Sequence, residues 1–374
     1  MTPLDELRAR IRAIDAQLLG LVRERMDCAA QVGRAKKDQG IPLRDFQVEH
    51  AVLEHAESLS RDLRLALPLV RSIMQLLVAE SRAEQERQAY STYTGEAESI
   101  LVIGGRGKMG RWCADFFEDQ GHRVAVYDIA SRVQNDRGAI VTSEPEVALA
   151  TGDLAVELKR AALAVIATPL EVVPKTIDEV VEIGFRGTLV DIASLKGHLK
   201  PSIARALHAG IAVTSIHPMF GPSTKALSGQ VICICDCGNP EAANQVRSFF
   251  AETAASLVDL SLEEHDRIMS LVLGLSHLTN ILFTRVLMQE ASSFETLHRV
   301  GSTTFHSQMS TTATVMRDNP ELYYAIQKLN PFTPRVYRSL SRELDRLTDA
   351  VTRGDRHAFV KLMVQGREWL ADRP

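Results

Sequence analysis

The 374-residue chain is short of the features that would set it apart from ordinary globular proteins. It has no excess of positive charge: 43 Lys and Arg against 47 Asp and Glu leave a formal net charge of -4. Without a basic footprint, nucleic acid is not expected as a partner. No uninterrupted apolar run in the sequence reaches membrane-spanning length. The opening Met1-Thr-Pro-Leu-Asp-Glu6 contains no signal-peptide core, so neither a membrane nor export is expected, and the reading is cytoplasmic. Cysteine is scarce and odd in number, at five, which argues against a disulfide framework. Cys233, Cys235 and Cys237 alternate, as on one face of a strand; without zinc-type ligand spacing they read as small apolar residues, and no metal is expected. What remains is ordinary: 45% hydrophobic and 24% charged residues in a length sufficient for two or three domains.

The strongest positive signal is Ile100-Leu-Val-Ile-Gly-Gly-Arg-Gly-Lys-Met-Gly110. A short apolar run reads as a buried strand and enters a turn in which Gly105, Gly107 and Gly110 have dinucleotide-binding spacing. Gly104, Arg106, Lys108 and Met109 complete that turn. Glycines permit close backbone approach to a pyrophosphate, which would sit on the N-terminus of the following helix. About twenty residues on, His122-Arg-Val-Ala-Val-Tyr-Asp128 reads as a second strand ending in an acid. The Asp128 carboxylate would bind a ribose 2′-hydroxyl and repel a 2′-phosphate, which favours NAD. Such a turn normally opens a chain, so a separate unit precedes it.

That unit is helical. Thr2 and Pro3 form a helix start, and Leu7, Ile11, Ile14, Leu18, Leu21, Val22, Cys28 and Val32 recur at three- and four-residue spacing to about Lys37. The spacing predicts a rod of roughly 50 Å. Further helices are expected over about 46–60 and 67–88. Three helices of such unequal length cannot close a core alone, so pairing with a second copy is expected. Arg8, Arg25 and Lys36 lie 17 and 11 residues apart, near whole turns of the rod. With Asp15, Pro42, Asp45 and Glu49, this pattern resembles the all-helical chorismate mutase family over residues 4–88. The resemblance implies that Arg8 of a partner chain and Arg25 hold the substrate carboxylates. Lys36 would stabilise the breaking ether, and Glu49 and Gln85 would bind oxygens, with Ser81 and Asp45 nearby. A pericyclic rearrangement needs a rigid cationic cage rather than a nucleophile. Val48 stands where the family carries an arginine.

Residues 91–98 read as a polar linker. Beyond the Gly-rich turn, strands are expected at 163–169, ending at Pro, and at 188–193, 212–216 and 230–235, with helical spacers that predict a doubly wound parallel sheet through about residue 260. Polar residues gather where those strands end: Thr168-Pro, Ser194-Leu-Lys196 and His217-Pro-Met-Phe-Gly-Pro222. Ligands of such sheets bind beyond the carboxyl ends of the strands. His217, rigidly flanked by Pro218 and a Gly-Pro turn, is placed as a general base would need to be. Residues 261–374 read as a third, all-helical domain.

His217 and its flanking residues, with Ala193-Ser-Leu-Lys196, resemble the prephenate dehydrogenase family. With the first domain, the whole chain resembles bifunctional chorismate mutase/prephenate dehydrogenases. The implied activities are rearrangement of chorismate to prephenate and NAD-dependent oxidative decarboxylation of prephenate to 4-hydroxyphenylpyruvate, in tyrosine biosynthesis. His217 would act as the base, Lys196 and Thr168 would assist, and Thr168 and Ser194 would adjoin the cofactor. The third domain would form a helical homodimer. Two arginines expected before Asp318-Asn-Pro-Glu-Leu-Tyr323 are replaced by His306 and Thr314 in a hydroxyl-rich segment. Arg299, Arg317 or Arg335 could take their place. Those replacements support arogenate or an amino-substituted prephenate as an alternative substrate. Val48 supports a silent dimerisation or regulatory role for the first domain.

Overall fold

The computed structural model describes residues 2–39, 46–90, 97–129, 153–224, 227–251, 253, 255–290 and 293–371. The chain divides into two compact units, Met1–Ser194 with Leu199–Leu262, and Leu195–His198 with Glu263–Pro374.

The first unit begins with α1 (Pro3–Asp38), α2 (Phe46–Asp62) and α3 (Leu67–Tyr90). A reciprocal cap starts α1: the Thr2 hydroxyl donates to Asp5 at 2.6 Å and accepts from the Asp5 backbone N–H at 3.3 Å. Both α1 and α2 pack on α3. Gly33 permits the closest approach, since a Cβ there would lie 3.0–3.1 Å from Gln85 atoms. Within one chain the rod stays largely uncovered, with Leu4, Leu7, Ile11, Ile14, Leu18 and Leu21 all exposed.

The remainder of this unit is a seven-stranded sheet in the order β2-β1-β3-β4-β5-β6-β7. Its strands are β1 (Ser99–Ile103), β2 (Arg123–Tyr127), β3 (Leu163–Ile166), β4 (Thr188–Asp191), β5 (Ala212–Pro218), β6 (Val231–Asp236) and β7 (Ser256–Leu260). The helices are α4 (Lys108–Asp119), α5 (Leu154–Arg160), α6 (Val173–Ile183), α7 (Lys200–His208) and α8 (Pro240–Ala251), with a short 3-10 turn at Gly197–Leu199. Two expectations change. The sheet is not wholly parallel, because β6 runs antiparallel to β5 while β7 runs parallel to β6. The connection from Pro218 to Val231 contains prolines and glycines and no described helix, so the chain turns back instead of crossing over. Also, β7 is a strand that the sequence pattern does not reveal; its edge position and mixed Ser-Leu-Val-Asp-Leu composition weaken the apolar signal.

Strand alternation assigns the two sheet faces. Ile100, Val102, Val165, Val190, Ile216, Ile232 and Ile234 pack with Phe116 and Phe117 of α4 and Phe249 and Phe250 of α8. The opposite face carries Asp191, Ser215, His217, Cys233 and Cys235, where registration pairs Asp191 with Ser215, Ser215 with Cys235 and His217 with Cys233. These five residues are at most 5% exposed, making this a buried row of polar and small side chains.

The second unit contains α9 (Leu262–Met269), a π-helical turn (Ser270–Leu275), α10 (Ser276–Glu290), α11 (Phe294–Val300), α12 (Thr303–Arg317), α13 (Pro320–Leu329), α14 (Thr333–Thr352) and α15 (Arg356–Ala371). The run Leu262–Glu290 is long and apolar enough to cross a membrane by length and composition, contrary to the expectation from the bare sequence. It also buries His265, Asp266, His277 and Asn280, and partners within the unit satisfy polar groups on Asp266 and Asn280. Gln327 donates to the Gly274 carbonyl at 2.9 Å, satisfying an acceptor in the π turn.

Candidate functional sites

In the helical domain, Arg25 and Ser81 are brought together. The Arg25 guanidinium donates to the Ser81 hydroxyl and, at 2.9 Å, to the Leu77 carbonyl. Ser81 is buried and also donates to Leu77 O at 2.7 Å. Gln85 follows one turn later on α3 and packs on Gly33, while Lys36 is half-buried one turn beyond Gly33 on α1. Four expected residues therefore line one α1–α3 seam. Arg8 is exposed and lies about 25 Å before Arg25 along the rod, at 1.5 Å per residue. Asp45, and the side chains of Val48 and Glu49, lie outside the described residues.

At the Gly-rich turn, Gly104 adopts φ +83°, and a Cβ there would lie 2.8 Å from the Ala167 carbonyl. A Cβ at Gly105 would lie 2.5 Å from Val126, and one at Gly110 would collide with the Gly104 carbonyl oxygen. Only glycine fits these positions. Gly107 caps α4 without a side-chain bond, and no acid occupies the first helical turn. Lys108 and Met109 thus place backbone N–H groups at a helix start with no side-chain cap. Asp128 follows β2, and its carboxylate accepts the Arg106 backbone N–H at 3.1 Å.

The turn after β1 touches the turn after β3, as the closeness of Gly104 to Ala167 and Thr168 shows. The Thr168 Oγ1 atom is buried without a hydrogen-bond partner. Ser194 is half-buried beyond β4. His217 is not beyond its strand, as the sequence pattern suggests, but inside β5, which extends to Pro218. It is 5% exposed. The loop after it is anchored by a residue that sequence reasoning misses. Trp112 donates to the Thr224 carbonyl at 2.7 Å and meets Phe220 edge-on at 4.9 Å. Its signal is a tryptophan on the sheet-facing side of α4.

Lys196 belongs to the second unit and is fully buried. Its backbone N–H donates to Asp266 Oδ1 at 2.8 Å. Elsewhere in that unit His277 is buried, its ring centroid 4.2 Å from that of Tyr323. Burial lowers the His277 pKa, against an opposing pull from Asp318. Asn280 Oδ1 accepts from Thr312 at 2.7 Å and Gln308 at 2.9 Å. Thr314 is exposed and its hydroxyl bonds back to Ser310 O at 3.2 Å, while His306 meets the His298 ring at 4.9 Å. Arg299 and Arg317 are exposed, and Arg335 lines a surface groove of about 310 Å³ with Arg338, Ser341 and Arg342.

Three family models match in chain order. Chorismate mutase type II matches residues 7–86, the nucleotide-binding domain of prephenate dehydrogenase matches 118–259, and its dimerization domain matches 261–365. The chain belongs to the bifunctional chorismate mutase/prephenate dehydrogenase family. It is accordingly a fused isomerase and oxidoreductase. The T-protein of Enterobacter agglomerans is 23% identical over 369 residues, covering 99% of this chain and 93% of its own. A probable arogenate/prephenate dehydrogenase of Methanocaldococcus jannaschii is 28% identical over 273 residues, 71% of this chain and 59% of that protein. Among solved structures, Aquifex aeolicus prephenate dehydrogenase with hydroxyphenyl propionate and NAD+ has a TM-score of 0.57 at 16% identity, covering 75% of this chain and 99% of that one. This last likeness speaks for the fold. The Gly-rich turn precedes the matched nucleotide-binding stretch, so its assignment rests on its own geometry.

Proposed function

We propose that the helical domain rearranges chorismate and that the sheet domain, with the C-terminal helices, oxidises the resulting prephenate with NAD. The observation that carries the second half is the glycine cradle, the carboxylate after β2 and His217 at the carboxyl ends of strands of one sheet. The chain suits a dinucleotide: Gly104, Gly105 and Gly110 leave space a Cβ would fill, and the start of α4 is uncapped. Residues 104–110 would hold the pyrophosphate, Asp128 the adenosine ribose, and Thr168 and Ser194 the nicotinamide side. Bound NAD would supply the hydride acceptor. His217 would hold the substrate hydroxyl and take its proton, so that the developing carbonyl drives loss of the ring carboxylate as CO2. Lys196 and Thr168 would assist in binding and orientation.

In the helical domain, Arg25, held by Leu77 and Ser81, would grip a carboxylate. Lys36, Asp45, Glu49 and Gln85 would complete the cage with Arg8 of a second copy. The exposed apolar positions of α1 support pairing there. Exposed Val286, Met288, Leu344, Val351, Met363 and Trp369 support a homodimer through the C-terminal helices. A cytoplasmic location and domains spanning 1–90, 99–260 and 261–374 complete the reading. Arogenate, an amino-substituted analogue and a silent helical domain are the disfavoured alternatives. A steady-state assay with chorismate, prephenate and arogenate, each with NAD and NADP, tests all of this. Preferred turnover of arogenate, or no mutase activity, would overturn the corresponding half.

A further inference from the structure

Asp266 is 1% exposed on α9, where an unpaired carboxylate would be costly. It is not unpaired. Its Oδ1 accepts the Lys196 backbone N–H at 2.8 Å and faces His265 Nδ1 at 3.0 Å; its Oδ2 accepts the Gly197 backbone N–H at 2.6 Å. Its own carbonyl accepts from Asn330 Nδ2 at 2.8 Å, and Asn330 is 2% exposed. Two successive backbone N–H groups of an irregular segment are therefore clamped by one carboxylate across 70 residues of sequence. Gly197 is required by this clamp, because a Cβ there would lie 2.8 Å from Asp266 Oδ2.

We infer that Asp266 is a positioning residue for prephenate oxidation, holding the Leu195–His198 segment so that Lys196 and the preceding Ser194 are fixed for substrate and cofactor. The inference rests on the functional reading above. A carboxylate suits this task better than an amide. It offers acceptors to both N–H groups, whereas Asn must turn a donor toward one of them.

The test uses the full-length enzyme and two variants that attack the clamp from opposite sides, Asp266→Asn and Gly197→Ala. Each should lower the prephenate-oxidation kcat at least tenfold per folded molecule, with mutase kcat unchanged. Amide hydrogen exchange over residues 192–199 should speed up in both. The double variant should lose little more than either single one, since both break one clamp. If one variant fails to fold, the other decides. A merely structural Asp266 would lower thermal stability while leaving kcat per folded molecule near wild type, and that result overturns the inference. A wild type that oxidises no prephenate would overturn the functional reading first, and this role with it.

Discussion

Replacing His217 by Asn separates chemistry from packing. The imidazole is 5% exposed on β5, opposite Cys233 and two residues beyond Ser215 on the same face. Asn is smaller, keeps donor and acceptor capacity, and cannot take a proton near neutrality. General-base assistance is typically worth about 10²–10⁴-fold, which is about 3–5 kcal/mol of barrier at 1.36 kcal/mol per tenfold. The packing penalty is of a different kind. A buried polar group left short of a partner costs about 1–3 kcal/mol of stability, which lowers Tm without lowering turnover of the folded fraction. We expect prephenate-oxidation kcat to fall at least about a hundredfold, with NAD affinity little changed, because the pyrophosphate lies on the start of α4. Wild-type kcat/KM should fall on the acid side as the imidazole becomes protonated, and the Asn variant should lose that limb. Stopped-flow NADH absorbance, normalised to folded protein, measures both. Near-normal turnover, or an intact acid limb, would remove His217 from the mechanism and move the test to Lys196 and Thr168.

Arg25→Ala should abolish mutase activity, by at least about a hundredfold on the scale of a truncated buried charge pair, while oxidation of supplied prephenate persists; parallel chorismate and prephenate assays decide. NAD should be preferred to NADP, and Asp128→Ala should narrow that preference, because the carboxylate after β2 would repel a 2′-phosphate; a higher kcat/KM with NADP in the wild type would reject this. His277 has its pKa lowered mainly by burial, so the unfolded chain binds its proton first as pH falls below about 6.5. Stability due to this group is present above that pH and is lost toward the lower folded-state pKa. His277→Gln should therefore flatten the decline in urea midpoint between about pH 7 and 5.5, and an unchanged slope would refute the assignment.

The elements with strong local periodicity were legible. The α1 rod is expected to about Lys37 and runs to Asp38; the β1 turn carries its glycines where backbone contacts demand them. Strand direction is not legible in the same way, because an apolar run looks the same in a parallel or an antiparallel pair. The sign of it lies instead in the connection: Pro218, Gly221, Pro222 and Gly229 crowd a segment too broken for a crossover helix. The π turn is hidden for a related reason. Ser270-Leu-Val-Leu-Gly-Leu275 satisfies an α-helical pattern, and its departure depends on a distant donor, the Gln327 amide.

The candidate sites divide the same way. Residues expected to touch ligand sit in short motifs at strand ends or along one helix, so the sequence and its family resemblance offer Gly105, Asp128, His217, Arg25 and Lys36 as candidates. Residues that hold those in place are joined by hydrogen bonds across long stretches of chain: 112 residues between Trp112 and Thr224, 70 between Asp266 and Lys196. Nothing local distinguishes Asp266 from any other acid near a helix start; in Leu-Glu-Glu-His-Asp-Arg267 the preceding acids look equally eligible. Burial makes the distinction, because a carboxylate at 1% exposure is tolerable only where several donors converge on it. The same logic bears on Thr314 and His306. Thr314 is exposed and bonded within its own helix, whereas Thr312, two residues earlier, is buried against Asn280. An ungapped comparison of sequence directs attention to positions 306 and 314, but the packed polar contact of this helix lies between them.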